Sequence, residues 1–416
     1  MSHKKAVVSG RPKLVVLGTG FAAFSLLKSI KRKHYEITVV SPRNHFLFTP
    51  LLPSTTVGTI EFRSIIEPIR TLSDITFLQA DCTRVDTAGK QVECKHHDSD
   101  ESFNCPYDSL VIAVGAVNGT FNIPGVEDHC VFLKELSDAR IIRQQIIENF
   151  EAAAMPDIDP KERQRLLHVV VVGGGPTGVE FAAEMHDFLR QDLKKWYPDI
   201  SGESRITLIE AGPQILSSFD QKLSAYTQRH FKNRDINVRT ESRVKSVDAG
   251  KIIIEPAEEI PFGLAVWSTG LSASPLLDSS GLAHENGRLP TDEFLQLNDH
   301  TDIYAIGDCA MITDNVLPRT AQAAQQEGKW LAKNFDRQRT GKEPRPFVFK
   351  NLGMLAYIGG NTALADISNN IKTSGFKTWI FWRSCYITKL VSFRNKVLVL
   401  FDWFKSLVFG RDISRF

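Results

Sequence analysis

No two of the six cysteines (Cys82, Cys94, Cys105, Cys130, Cys309 and Cys385) stand in a C-x-x-C or C-x₄-C spacing. That argues against a disulfide scaffold, a zinc site and a redox-active cysteine pair, and points to a reducing compartment. No stretch of about 20 uncharged apolar residues is present, so no segment reads as a membrane-spanning helix. No secretory signal opens the chain, and the basic segment before the first strand, with no acidic residue ahead of Glu36, is too short to read as a transit peptide. A strong charge of one sign is also missing. The net charge is +2 over 416 residues, which argues against nucleic acid as a partner.

What charge there is lies unevenly. From Phe376 to Phe416 stand eight Lys or Arg and two Asp, a net +6 against +2 for the whole, leaving −4 on the remainder. A basic, aromatic tail on a mildly acidic body suits an anionic membrane surface. The length implies two or three domains, and the 42% hydrophobic and 24% charged content is that of an ordinary globular enzyme.

Residues 169–180 read Val-Val-Val-Val-Gly-Gly-Gly-Pro-Thr-Gly-Val-Glu. Four β-branched residues predict a buried parallel strand. Gly173, Gly175 and Gly178 then fall in G-x-G-x-x-G spacing. The first allows the tight turn, the second lets a pyrophosphate approach, and the third lets the next helix pack with its N-terminus toward the phosphates. A related turn comes earlier, Gly18-Thr-Gly20-Phe21-Ala22-Ala23, with alanine in the third place. Its helix is expected to run to about Lys33, followed by a strand over residues 36–40. At the end of that strand the ribose-binding acid is absent, and Ser41 offers a weaker hydroxyl. Extended stretches are expected at 75–85 and 109–116, with a polar hairpin tip at 95–102; His96 and His97 there fit that tip better than a metal site.

The second unit's helix is expected from Thr177 to about Lys195, and its next strand over 205–209 ends in Glu210. This acid lies further on than the usual spacing of about 20 residues, the polar stretch 196–204 reading as an insertion. Glu210 can bond both hydroxyls of an adenosine ribose and would repel a 2′-phosphate, so NADH is favoured over NADPH. Residues 266–270, ending in Gly270, return the chain to the first domain. The short strand of 302–308 ends in Gly307-Asp308, an Asp placed to accept flavin ribityl hydroxyls. A helix is expected over 319–335, its N-terminus favouring negative charge on a reduced flavin. Gln322 and Gln326 share its face, either as site residues or as packing amides. In the tail, Phe393, Val397, Leu400, Phe404, Leu407 and Val408 fall on one helical face and Arg394, Asn395, Asp402 and Lys405 on the other. Such a helix lies in a membrane interface, or docks on the protein's own body or on a second subunit.

Two nucleotide units and a Gly-Asp strand predict an α/β flavoprotein with two Rossmann-like dinucleotide-binding domains and a C-terminal amphipathic helical membrane anchor. The expected division is FAD-binding at 1–118 and 270–345, NADH-binding at 119–269, and a membrane-anchoring region at 346–416. No residue set suggests metal or acyl-transfer chemistry.

Five stretches carry a family resemblance: Ser41-Pro-Arg-Asn-His-Phe-Leu-Phe-Thr-Pro-Leu-Leu-Pro53, Ile65-Ile-Glu-Pro68, Val172 to Glu180, Ala305-Ile-Gly-Asp308 and Asn351-Leu-Gly353. Over almost its whole length the chain resembles the type II NADH:quinone oxidoreductases, the non-proton-pumping alternative NADH dehydrogenases, and most of all their yeast mitochondrial internal members. The resemblance implies non-covalent FAD lined by Gly18, Gly20, Ser41, Pro42, Arg43, Thr49, Gly115 and Asp308, with NADH held by Gly175, Glu180 and Glu210. Glu180 would lie near the nicotinamide and relay protons. Ala321-Gln-Ala-Ala-Gln-Gln326 is similar to the family's A-Q-x-A-x-Q quinone motif, placing Gln322 and Gln326 with Arg319 at a ubiquinone or menaquinone head group. Leu352 stands where many bacterial members carry Lys, so no lysine role transfers. The tail would be a monotopic anchor and quinone-access region on an inner membrane, the mitochondrial one favoured, in a homodimer. The rival reading is a redox-controlled flavoprotein of apoptosis-inducing type, with slow NADH oxidation and action through dimerisation. Disulfide and sulfide:quinone reductases are disfavoured, because residues 44–53 hold no cysteine.

Overall fold

The computed structural model describes residues 10–367 and 371–414. Most of the basic N-terminal segment and the last two tail residues lie outside them. The chain divides into two compact units. One comprises the chain up to Leu47 with Glu67–Val117 and Leu271–Asn351; the other comprises Phe48–Ile66, Asn118–Gly270 and the chain from Leu352 onward.

The first unit is built on a seven-stranded sheet in the order Ile303–Ala305, Ser109–Ile112, Lys13–Leu17, Glu36–Ser41, Thr76–Asp86, Gln91–His96, Ser102–Pro106. The first five strands are parallel, and the last two fold back antiparallel. Central strands buried on both faces need near-continuous apolar runs, and Leu14 to Leu17 are all buried. The helix Phe21–Ser29 follows the first turn, shorter than the sequence suggests: Ile30 is extended, and a separate 3₁₀ turn forms at Arg32–His34. The long helix Ala321–Arg339 packs against it. A Cβ on Gly328 would sit 2.2 Å from the carbonyl oxygen of Ala22, so glycine is required at this crossing.

The second unit has a five-stranded parallel sheet in the order Val131–Phe132, Leu264–Trp267, His168–Val172, Arg205–Ile209, Ile236–Arg239. The helix Pro176–Phe188 continues through a π-helical turn, Leu189–Leu193, into Lys194–Trp196, covering the length expected of one helix. Two antiparallel three-stranded sheets complete the unit: Val244–Asp248, Lys251–Ile254, Glu258–Pro261; and Met354–Gly359, Thr362–Ile367, Ile371–Gly375. The second of these leads into the tail helices Phe376–Lys389 and Phe393–Phe409. Among the described residues no helix is long and apolar enough to cross a membrane.

Candidate functional site

In the first unit, the turn after Lys13–Leu17 has Gly18 at φ 103°, where a Cβ would lie 2.4 Å from the Ala113 carbonyl oxygen. Only glycine fits there. Gly20 differs: among the described residues nothing lies within 4 Å of where its Cβ would be, so the backbone stands open to an approaching phosphate. Phe21 and Ala22 begin the helix, whose first turn carries no acidic side chain to compete with an anion. Gly115, at φ 70°, is equally open. These are the features a dinucleotide cradle needs, and FAD fits them.

The Ser41 hydroxyl accepts the backbone N–H of Arg43 and contacts the Thr19 hydroxyl, each at 3.2 Å, while Thr19 donates to the Arg43 carbonyl at 3.1 Å. Gln79 donates to the carbonyl of Pro42 at 3.0 Å. The segment from Ser41 to Arg43 is thus held by a polar lattice in which Thr19, the residue between the two glycines, was not anticipated from the sequence.

At the other end of this unit's chain, Gly307 sits at φ 80° and donates its N–H to Glu327 at 2.5 Å. Burial pushes Glu327 up to about 7, with the neighbouring Asp308 charge adding to the rise and the Gly307 N–H opposing it. Arg319 lies just before the helix and turns its guanidinium onto main-chain carbonyls, that of Asp308 at 3.2 Å and those of Leu271, Asn286 and Gly287 at 3.4 Å. Gln326 is clamped to Lys350 at both ends of its amide, donating to the carbonyl at 2.9 Å and accepting the N–H at 3.0 Å. Gln322 is half-buried one turn before it. The Gly307–Asp308 main chain is therefore held by Glu327 at the Gly307 N–H and by Arg319 at the Asp308 carbonyl. Of these two, the sequence pointed only to Arg319.

In the second unit the turn repeats. Gly173 at φ 112° would press a Cβ to 2.8 Å from Thr269, a Cβ on Gly178 would meet the Gly173 oxygen at 2.0 Å, and Gly175 stands open. The helix Pro176–Phe188 again has no acid in its first turn. Glu210 ends its strand with one carboxylate oxygen accepting the Gly174 N–H at 2.7 Å and the other that of Gly212 at 2.6 Å. Gly270, at φ 78°, accepts the Gly119 N–H on its carbonyl, and the Gly119 oxygen accepts the Trp267 indole N–H at 3.0 Å. Thr49 opens a 3₁₀ turn in this same unit.

The inner face of the helix from Pro176 carries Glu180, Glu184 and Asp187, all buried. Glu180 accepts the N–H of Tyr357 at 3.0 Å. Burial pushes it up to about 8, with the Glu184 charge reinforcing the shift and the Tyr357 N–H opposing it, which favours its protonated form. Glu184 is raised by burial too, against the pull of Arg411; it accepts hydroxyls from Ser54 and Thr59 at 2.7 Å. Asp187 takes the Tyr357 hydroxyl at 2.5 Å and pairs with Arg234. Arg411, from the tail, bonds Asp192 at 2.7 Å and Thr59 at 2.9 Å and lies 3.8 Å from Glu184. Only Glu180 was legible in the sequence as a site residue.

The last helix turns its polar face inward. Asn395 donates to the carbonyls of Ser64 and Ile66 at 2.9 and 3.0 Å, and Lys405 reaches Glu61 at 2.5 Å. The opposite face is bare: Phe393 and Leu407 are 82% and 83% exposed, with Leu400, Phe401, Phe404, Val408 and Phe409 between and beside them. So large an apolar stripe marks an interaction surface.

The fold with both glycine turns defines the class, and the matching family model, pyridine nucleotide-disulphide oxidoreductase, covers residues 12–328. A second, the NDH2 C-terminal domain, covers residues 351–412. The chain is 45% identical to a probable NADH dehydrogenase of Dictyostelium discoideum, over 100% of this chain and 93% of that one. It is 41% identical to the mitochondrial external alternative NADH-ubiquinone oxidoreductase of Yarrowia lipolytica, covering 97% and 80%. The structure of NDH2 from Plasmodium falciparum in complex with NADH superposes with a TM-score of 0.94 at 30% identity, covering 97% of this chain and 100% of that one. The chain belongs to the type II NADH dehydrogenases, FAD-dependent oxidoreductases. Nothing in these matches supports the apoptosis-inducing alternative.

Proposed function

We infer that this protein is an NADH:quinone oxidoreductase that passes two electrons from NADH to a membrane quinone without pumping protons. The observation that carries this is the conjunction, in one chain, of two phosphate-cradling turns with a C-terminal segment of NDH2 type whose apolar face is outward. The mitochondrial relatives favour ubiquinone over menaquinone and a place on the mitochondrial inner membrane. In this reading the first unit binds FAD and the second binds NADH, the tail helices rest on the membrane, and the protein is a homodimer.

FAD, when bound, supplies a ring that accepts a hydride and gives the electrons up again. The residues of the chain do the rest. The open backbone at Gly20 and at Gly175 lets the two pyrophosphates approach, each at a helix N-terminus. Asp308, whose main chain is held through Glu327 at Gly307 and Arg319 at its own carbonyl, offers its carboxylate to the ribityl hydroxyls. Glu210 meets the adenosine ribose, its carboxylate already oriented by two backbone N–H groups. In this reading Glu180, buried and with its protonated form favoured, hands on a proton, since quinone reduction consumes one proton beyond the hydride. Gln322 and Gln326 flank the quinone head group; Gln326 acts by setting the position of Lys350.

Stopped-flow absorbance without oxygen tests the reading. NADH should bleach the flavin band within the enzyme's turnover time, and a ubiquinone analogue should restore it as fast. Restoration only by oxygen would sink it. Sedimentation of the detergent-solubilised protein checks the dimer.

A further inference from the structure

Under the tail helices of the second unit lies a cavity of about 440 Å³. Its walls include Glu184, Asp192, Tyr357, Arg383, Trp403 and Arg411, and its rim carries Lys195, Trp196, Trp379 and Leu407 to Phe409. Three cations and two carboxylates face it, but they are not evenly matched. Arg411 takes Asp192 at 2.7 Å and lies 3.8 Å from Glu184, whose carboxyl burial already biases toward the neutral form. Among the described residues neither Arg383 nor Lys195 has a carboxylate within 4 Å, and the buried Nε of Arg383 has no acceptor.

Arg383 is held in a particular way. Its guanidinium lies 4.0 Å from the ring centroid of Trp379 and 4.5 Å from that of Trp403. The aromatic rings take its faces, so its N–H groups are left to bond along the edges, in the plane that suits a bidentate anion. Lys195, stacked on Trp196 at 4.9 Å, brings the second positive charge to the rim. Beside the mouth, Leu407, Val408 and Phe409 are exposed and apolar, continuous with the bare stripe of the last helix. Charge within, tryptophan at the rim and hydrocarbon outside are the layering of a bilayer interface.

We propose that this cavity binds the headgroup of an anionic phospholipid: the phosphodiester is held by Arg383 and Lys195, and the acyl chains run out along Leu407, Val408 and Phe409. The proposal rests on the reading that the tail lies on a membrane, and it goes further by making that contact a stoichiometric lipid site rather than a diffuse charge attraction.

The test uses the full-length, FAD-loaded protein. Vesicles of phosphatidylcholine alone, or with a minor fraction of phosphatidylglycerol, are floated with the protein, and tryptophan quenching by brominated forms of each lipid is measured. The expected result is that brominated phosphatidylglycerol quenches at about tenfold lower concentration than brominated phosphatidylcholine, a difference of about 1.4 kcal/mol. One molecule should stay bound per chain in native mass spectrometry. Arg383→Gln should abolish both signals. Lys389→Gln, which removes an equal charge from the exposed end of the preceding helix, should keep them. Lys195→Gln, at an exposed position, should weaken them, and serves if Arg383→Gln does not fold. Equal loss in Arg383→Gln and Lys389→Gln would reduce the effect to net charge and overturn the proposal. Displacement by soluble glycerophosphate as readily as by lipid would assign the cavity to a free phosphate and overturn it too. Flotation with every vesicle but no preference among lipids defeats this proposal alone; flotation with none defeats the membrane reading as well.

Discussion

The carboxylate of Asp402 accepts the hydroxyl of Ser64 at 2.5 Å and, on the same oxygen, the backbone N–H of Glu61 at 3.0 Å. A helix with a bare apolar face is thereby fastened to the protein by its polar one, the reverse of the usual arrangement in a globular core. Asp402→Ala leaves two donors without a partner and should cost about 1–3 kcal/mol. Hydrogen exchange over residues 393–409 should rise with it. Asp402→Asn, which still accepts, should lose less. Unchanged exchange in Asp402→Ala would mean that the apolar contacts alone dock the helix.

Glu180 has its pKa pushed up to about 8 from an ordinary 4.5. The folded state binds this proton more tightly than the unfolded state. The resulting stability is full below about pH 4.5 and is lost as pH rises toward 8. Glu180→Gln cannot titrate, so it should be the relatively more stable protein at pH 8 and above, by on the order of a few kcal/mol. Quinone-reduction rate in the native enzyme should fall through an apparent pKa near 8, and that limb should vanish in Glu180→Gln. Parallel stability curves for the two proteins would refute the shift.

Glu210 bridges Gly174 and Gly212 with its two oxygens, so truncation affects both the loop and the ribose. Glu210→Ala should lower kcat/KM for NADH about tenfold, a loss of about 1.4 kcal/mol, and lower it less for NADPH, which no longer meets a repelling carboxylate. An unchanged ratio between the two coenzymes would remove the residue from specificity.

Glu327 and Gln326 are neighbours with separate tasks. Glu327→Ala deprives the Gly307 N–H of its acceptor, and the visible result should be faster loss of FAD on dilution, followed by flavin fluorescence. Gln326→Leu frees Lys350 and should raise KM for quinone about tenfold while leaving KM for NADH alone. A matching rise for NADH would show a general loosening instead.

The parts of this fold that repeat locally were readable in the sequence. The run Val169 to Val172 and the strand Arg205–Ile209 lie where β-branched residues and the following acid put them. The two faces of the last helix follow from the 3.6-residue period. Helix ends were read less well, because Ile30 and Thr320 act through capping geometry rather than composition. The meander Met354–Gly359, Thr362–Ile367, Ile371–Gly375 escaped notice, its alternation interrupted by Gly359 and Gly360. Contacts such as Tyr357 with Asp187, or Glu327 with Gly307, join residues 170 and 20 positions apart and leave no periodic trace. They surface only when the sheets bring them together. For the same reason the sequence marked Gln326 as a site residue without revealing its hold on Lys350.

Arg411 enters the chain 219 residues after Asp192, the acid it neutralises. Without it, Glu184 and Asp192 would have no ion-pair partner among the described residues of the second unit, and a buried carboxylate without one is costly. The C-terminal end thus closes the acidic interior of the second unit, and truncation before Arg411 should loosen it. The short segment that follows the bare apolar helix is therefore also the latch of the unit's interior.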